Sequence, residues 1–246
     1  MAYGANYDES LDRGYGAAVA HSPAAERATF VKRTYGHVAG AIFAFVAIEA
    51  ALFGSGAADA IIGQLFTTRM SYLLLMVAFI GGGYAAQMMA NSARSRAMQY
   101  AGLGLYVLLE AVIFLPLLYI AERQFPGQHL AAQAGIVTLA VFGALTAAVF
   151  VSGKDFSFLG PILAVLSFAA LGVVIASMVF GFNMGLVFAG AMVALAGGFI
   201  VYDTSNVMHR YHSGQYVAAS LALFASVAMM FFYILRLFIG FGRSND

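Results

Sequence analysis

Residues Phe158–Asn206 read FLGPILAVLSFAALGVVIASMVFGFNMGLVFAGAMVALAGGFIVYDTSN, with one ionisable side chain, Asp203. A helix needs about 20 apolar residues to cross the hydrocarbon core of a bilayer. The stretch therefore divides into two spans, about 158–181 and 184–206, with Asn183 nearly alone between them. That spacing predicts a tight antiparallel hairpin. Working outward, five more apolar stretches of similar length fall at about 34–54, 70–90, 98–121, 133–152 and 217–240. The expected fold is an all-α membrane protein, a bundle of seven transmembrane helices. Residues 1–33 read as a flexible cytoplasmic tail with a short amphipathic turn near Ala25–Val31, and residues 34–241 as one membrane domain.

Composition agrees. Of the 246 residues, 62% are apolar and 9% charged, against about 25% charged in an ordinary soluble domain. Such a chain cannot furnish a polar skin, so its first partner is the lipid bilayer. A net charge of +1 gives no reason to expect nucleic acid. The absence of cysteine excludes disulfides, thiolate metal sites and cysteine nucleophiles. Residues 1–33 hold no apolar run of the signal-peptide kind, so the first span is expected to act as an uncleaved insertion signal.

Basic residues set the expected orientation. Arg13, Arg27, Lys32, Arg33, Arg94, Arg96, Lys154 and Arg210 fall on one side, and Arg69, Arg123 and Arg243 on the other. The richer side should be cytoplasmic, which places the N-terminus there and, after seven crossings, the C-terminus outside. Tyr35, Tyr72, Tyr119, Tyr202 and Tyr216 sit near span ends, where an interfacial belt is expected in a chain without tryptophan. Gly36/Gly40, Gly181/Gly185 and Gly190/Ala194/Gly198 have the small-residue spacing that lets membrane helices approach closely.

Five ionisable residues lie inside the spans: His37, Glu49, Glu110, Asp203 and Arg236. A charge at the centre of a membrane helix costs about 2.5–3.5 kcal/mol on insertion scales, so it is rare unless used or paired. Asp203 stands about 140° around its helix from Gly198 and so faces a different neighbour. Its functional reading is a titrating carboxyl; the structural alternative is a helix-end Asp reaching interfacial water. Glu110 sits deeper, one turn after Tyr106, and reads as a proton- or cation-handling group or as a hydrogen-bonded structural acid. Glu49 and Arg236 lie towards the outer side and are expected to snorkel or to pair. His37 reads as an interfacial histidine. No retinal-type lysine lies in the last span, no Walker loop or HExxH is present, and no metal site is expected at His209 and His212. The chain reads as non-enzymatic and without a resident cofactor.

Thr146–Pro161, TAAVFVSGKDFSFLGP, resembles the signature of the Bax inhibitor-1 family, as does Val201–Asn206, VYDTSN. The opening Thr34–Ala41, TYGHVAGA, resembles its bacterial YccA-like branch. The likeness covers residues 30–241. It implies seven helices with the last one central, and a pH-sensitive leak for cations, chiefly calcium as the transported ion. It also implies a gate of two aspartates, on helices six and seven, sharing a proton. Asp203 matches the first. The second position falls on or near Ser226, and span seven contains no acid. One carboxylate and a hydroxyl make a poor calcium site, since calcium takes six to eight oxygens. The residues and the resemblance together lead to Asp203, Glu110 and Ser226 as ion- or proton-handling residues, with Arg236, Glu49, Arg94 and Arg96 as gating or structural charge partners. The YccA-like branch implies an alternative role: restraint of a membrane-anchored FtsH-type protease through the N-terminal tail, in a bacterial inner membrane. A proton-coupled solute transporter using Glu110 and Glu49 is a third reading.

Overall fold

The structure, a computed structural model, describes residues 18–65, 68–93 and 95–244, without the side chains of Leu65, Arg69, Tyr72, Arg243 and Ser244. The expected tail up to residue 17 and Arg94 lie outside the described residues. A 3-10 turn, Val19–His21, precedes eight helices: α1 Ala24–Gly54, α2 Ala57–Leu65, α3 Arg69–Ala90, α4 Arg96–Gln124, α5 Leu130–Ser152, α6 Leu159–Phe180, α7 Gly185–His209 and α8 Tyr216–Ser244. All but α2 are long and apolar enough to cross a membrane, as the hydropathy pattern requires. Local chemistry fixes the ends. Thr68 and Ser95 cap α3 and α4 by accepting the backbone N–H groups of Ser71 and Met98. Gly153 and Gly181 close α5 and α6 with φ of 61° and 76°, the left-handed turn that glycine enters without strain.

One boundary departs from expectation. α1 begins at Ala24 rather than near residue 34. Lys32 and Arg33 are exposed on the helix, which extends beyond its apolar stretch. Charged residues with good helix propensity fit a helical extension past the hydrocarbon as readily as a loop. Pro23 at the N-cap, with φ −54°, and Glu26 in the first turn set the true start. The loops after α3, α5 and α7 gather with the start of α1 at one end, here the basic end. α2 and the α4–α5 loop gather at the opposite end.

α8 is the axis of the bundle. It is a continuous helix of 29 residues that packs against α1, α3, α4, α5 and α7. Val217, Ala219, Leu223 and Leu235 are fully buried on it. At 1.5 Å per residue it spans about 43 Å, long enough for a full crossing. Phe231 stacks on Phe114 of α4 at 5.4 Å, and Phe45 of α1 meets Phe114 edge-on at 5.1 Å. These rings form the centre of the core. At the other extreme α6 packs on α7 and leaves Val165, Phe168 and Phe180 exposed to lipid.

The glycines divide differently from their spacing. Gly198 does pack closely, since a Cβ there would lie 2.8 Å from Leu163 of α6. Gly36, Gly40 and Gly190 face open space, and Gly181 and Gly185 serve turns with φ of 76° and 67°. The tightest approach of backbone to a glycine is at Gly102 of α4, where a Cβ would meet the Ala86 carbonyl oxygen of α3 at 2.5 Å and the Ala90 nitrogen at 2.6 Å. Spacing marks a small-residue face, but the partner helix decides whether that face is used. The tyrosines differ too: Tyr35, Tyr202 and Tyr216 turn towards other side chains of the bundle instead of forming a lipid-facing belt.

Gly102→Ala should destabilise the protein by about 1–3 kcal/mol, because the clash is with backbone that cannot move aside cheaply. Gly36→Ala should be neutral or slightly stabilising. Denaturant unfolding in detergent micelles measures both.

Candidate functional site

Asp203 lies near the basic end of α7 and is 7% exposed. The reading of a helix-end Asp reaching interfacial water is therefore set aside. Ser226 of α8 donates its hydroxyl to Asp203 Oδ2 at 2.5 Å, with both side chains buried. This joins α7 to the central helix. Gly198 meanwhile faces Leu163 of α6, so the two residues do address different neighbours. Next to Asp203, Thr204 accepts a hydrogen bond from the Tyr35 hydroxyl of α1 at 3.4 Å. Tyr211, in the α7–α8 loop, lies near the same carboxyl; burial, with the nearby Asp203 carboxyl, pushes its phenol above its ordinary pKa. Three helices and one loop thus converge on one carboxyl.

The same stretch of α7 holds the α5–α6 loop. Ser205 Oγ accepts the Phe156 backbone N–H at 2.8 Å and reaches Asp155 Oδ1 at 3.4 Å. Asp155 also accepts the Ser157 backbone N–H at 2.8 Å. Arg210 donates to Ser157 Oγ at 2.6 Å and lies 4.0 Å from the Asp155 carboxylate. Tyr202 lies against Gly160, where a Cβ would sit 3.0 Å from its ring. The two sequence stretches singled out above, SGKDFSFLGP and VYDTSN, are therefore two halves of one docked surface. Sequence reasoning identified both but not their contact. The signal was available in Ser205 and Asp155, short polar side chains at a helix end and in a loop.

The remaining candidates are dispersed. Glu110 is buried on α4 with the Tyr106 hydroxyl facing its carboxyl, as its one-turn spacing suggested. α4 and α7 both pack on α8, which stands between Glu110 and Asp203. Glu49 of α1 is buried, and neither carboxyl oxygen has a hydrogen-bond partner among the described residues. The expected pairing of Glu49 with Arg236 is not formed. The physical reason is separation around the bundle: Glu49 lines a largely apolar cavity of about 670 Å³ between α1, α4, α5 and α8, and Arg236 is not among its walls. The ion pair at that end is Asp59–Arg123, at 2.8 Å, reinforced by the Tyr119 hydroxyl at 3.0 Å. Arg96 is structural in this arrangement. It donates to Gln99 and to the Gly214 carbonyl, and its guanidinium lies 4.8 Å over the Tyr216 ring at the start of α8. His37 bonds Tyr100 through Nε2 at 3.0 Å. Among the described residues no three His, Asp or Glu side chains are grouped to hold a metal ion.

Chemically, a buried carboxyl with a hydroxyl donor can hold or release a proton and can contribute one oxygen to a passing cation. The Asp203–Ser226 pair offers too few ligands to retain calcium.

Comparison with known proteins gives this geometry a context. Residues 27–244 match the family model described as inhibitor of apoptosis-promoting Bax1. The chain is 40% identical over 114 residues to a BI1-like protein of Arabidopsis thaliana, covering 43% of each chain. It is 33% identical over 135 residues to protein lifeguard 4 of Mus musculus, covering 54% of this chain and 57% of the mouse protein. Against Bax inhibitor 1 of Schizosaccharomyces pombe it is 34% identical over 119 residues, 46% of this chain and 43% of the yeast protein. The matches thus span about half the length of these relatives.

The docked loop is testable through Asp155. The Ser157 backbone N–H, with Arg210 nearby, holds its carboxyl below the usual aspartate pKa. A depressed folded-state pKa lends stability above the unfolded value of about 3.9, and that stability is lost as pH falls through the folded pKa. Asp155→Asn should speed amide hydrogen exchange at Phe156 and Ser157 at neutral pH. The difference from the parent should vanish once the medium is acid enough to protonate Asp155. Exchange read by mass spectrometry checks both points.

Proposed function

The chain belongs to the Bax inhibitor-1 family, and from that membership we propose that it is a pH-modulated leak for cations, with the Asp203–Ser226 contact as its latch. In this reading calcium is the transported ion, no reaction is catalysed, and the protein resides in a bacterial inner membrane with its basic end cytoplasmic. One observation carries the proposal: a carboxyl buried in a membrane helix whose described hydrogen-bond partner, Ser226, belongs to the central helix of the bundle. Such a contact couples the proton on one side chain to the seating of α8 against α7. Glu110, on the far flank of α8, is a second polar group that a passing ion would meet. On this reading the second aspartate that the family resemblance implies falls on or near Ser226, so the carboxyl acts without a coupled partner.

Asp203→Asn should flatten the pH dependence of calcium flux in proteoliposomes. Parent and variant curves that superimpose would contradict the latch. Ser226→Asp should raise calcium flux above the parent, because two adjacent carboxylates supply more of the oxygen ligands that calcium prefers.

A second reading, restraint of an FtsH-type membrane protease in the YccA-like manner, draws on the N-terminal attachment. Ala18 bridges to His212, and the Val19 N–H donates to the Tyr211 carbonyl at 2.9 Å. The N-terminal segment therefore joins the membrane domain beside the Asp203 pocket. On this reading the protease co-purifies with the chain, deletion of residues 1–17 abolishes the association, and Asp203→Asn leaves it intact.

A further inference from the structure

Between α1 and α4 at the basic end runs a groove of about 880 Å³. Its floor is glycine. Gly36 and Gly40 of α1 and Gly104 of α4 are exposed, and a Cβ at any of them would touch nothing within 4 Å. Two helices carrying facing glycines usually use them to close on each other. Here they leave a channel, whose deeper walls are Ala44, Ile48, Val107 and Leu108. The α1 contributions fall at three- and four-residue intervals from Thr29 to Ile48 and so form one continuous stripe along the helix.

The mouth of the channel is cationic. Lys32 and Arg33 line it, both exposed, and neither makes an ion pair among the described residues, whose pairs are Asp59–Arg123 and Asp155–Arg210. Arg33 rests 5.6 Å over the Tyr216 ring, which Arg96 also covers at 4.8 Å. Thr29 adds a hydroxyl one turn before Arg33, and His37 lies one turn after it. A cationic mouth at the edge of the hydrocarbon, continuous with an apolar trough aligned along the spans, matches one kind of molecule. That molecule has an anionic head and a long apolar tail. Basic pockets between membrane helices bind phospholipid head groups by this combination.

We propose that the α1–α4 groove is a binding site for an anionic glycerophospholipid, its phosphate at Lys32 and Arg33 and one acyl chain on the Gly36–Gly40–Gly104 floor. The site is independent of the ion-leak reading. It contains none of the residues of the Asp203 pocket. It does touch the first residue of the central helix, because Arg33 is shared between the groove mouth and Tyr216.

The test is native mass spectrometry of the full chain, released from micelles doped with equal amounts of phosphatidylglycerol and phosphatidylcholine of identical acyl chains. The parent should retain phosphatidylglycerol about tenfold over phosphatidylcholine, a preference of the order one strong charge contact supplies. The double variant Lys32→Gln, Arg33→Gln should bind the two lipids equally. Gly40→Leu, which fills the floor and leaves both charges, should lose retention of either lipid. Because Gly40 faces open space, circular dichroism of that variant should match the parent. Equal retention of both lipids by the parent would overturn the proposal, as would a preference that survives the double variant. Displacement of bound lipid by inorganic phosphate would also overturn it, since the site would then be one for the free anion.

Discussion

Hydrocarbon offers no water, so a polar side chain inside the bundle is costly unless another part of the protein answers it, as Ser226 answers Asp203 and nothing among the described residues answers Glu49. That constraint organises the molecule around α8. Its first 20 residues carry no charge, and its hydroxyls are turned inward: Ser220 bonds the Val217 carbonyl at 2.7 Å, and Ser226 bonds Asp203. A carboxylate costs about 2.5–3.5 kcal/mol at the centre of a membrane helix on insertion scales, and less towards its end, where Asp203 lies. A hydrogen bond to a charged group returns about 1.5–3 kcal/mol. The two are of one size, so Asp203 is tolerated because Ser226 is there, and α7 is held to α8 because Asp203 is there.

The two ends of the bundle are built differently. At the basic end, polar contacts tie successive loops together: Phe156 to Ser205, Ser157 to Arg210, Val19 to Tyr211, and Gly214 to Arg96. At the opposite end the ion pair Asp59–Arg123 stands beside a mostly apolar cavity that contains Glu49. The Asp203–Ser226 contact thus lies at the end where the loops are docked by polar contacts. Any change in the seating of α8 at that end is transmitted along a continuous helix whose aromatic core contacts, Phe231 and Phe232 on Phe114, lie further along the same rod.

Much of this was legible in the sequence because hydropathy and length act locally. Seven spans, the short α6–α7 connection and the burial of Glu110 follow from composition along one segment. Asp203 and the neighbourhood of Ser226 come from the family resemblance, and their hydrogen bond is what the structure adds. What failed to show depends on which faces meet. The basic N-terminal turns of α1 look like a loop because charge is as compatible with a helical extension as with a tail. Gly36 and Gly40 look like packing residues, yet they line an open groove, while Gly102, without a partner at the same spacing, packs directly on the backbone of α3. Glu49 and Arg236 share a depth in the bundle, but depth says nothing about angle around the bundle axis. The Ser205–Asp155 docking joins residues fifty positions apart, beyond the reach of any periodicity argument.

The central claim is that Asp203 and Ser226 act as one unit, and a double-mutant cycle measures this most directly. Calcium flux and unfolding would be followed for Asp203→Ala, Ser226→Ala and the pair in reconstituted full-length protein. The account predicts strong non-additivity: either single substitution releases the latch, and the second adds little. Effects on flux and stability that simply sum would contradict it, because two side chains that do not depend on each other cannot form the contact on which the bundle's switch rests.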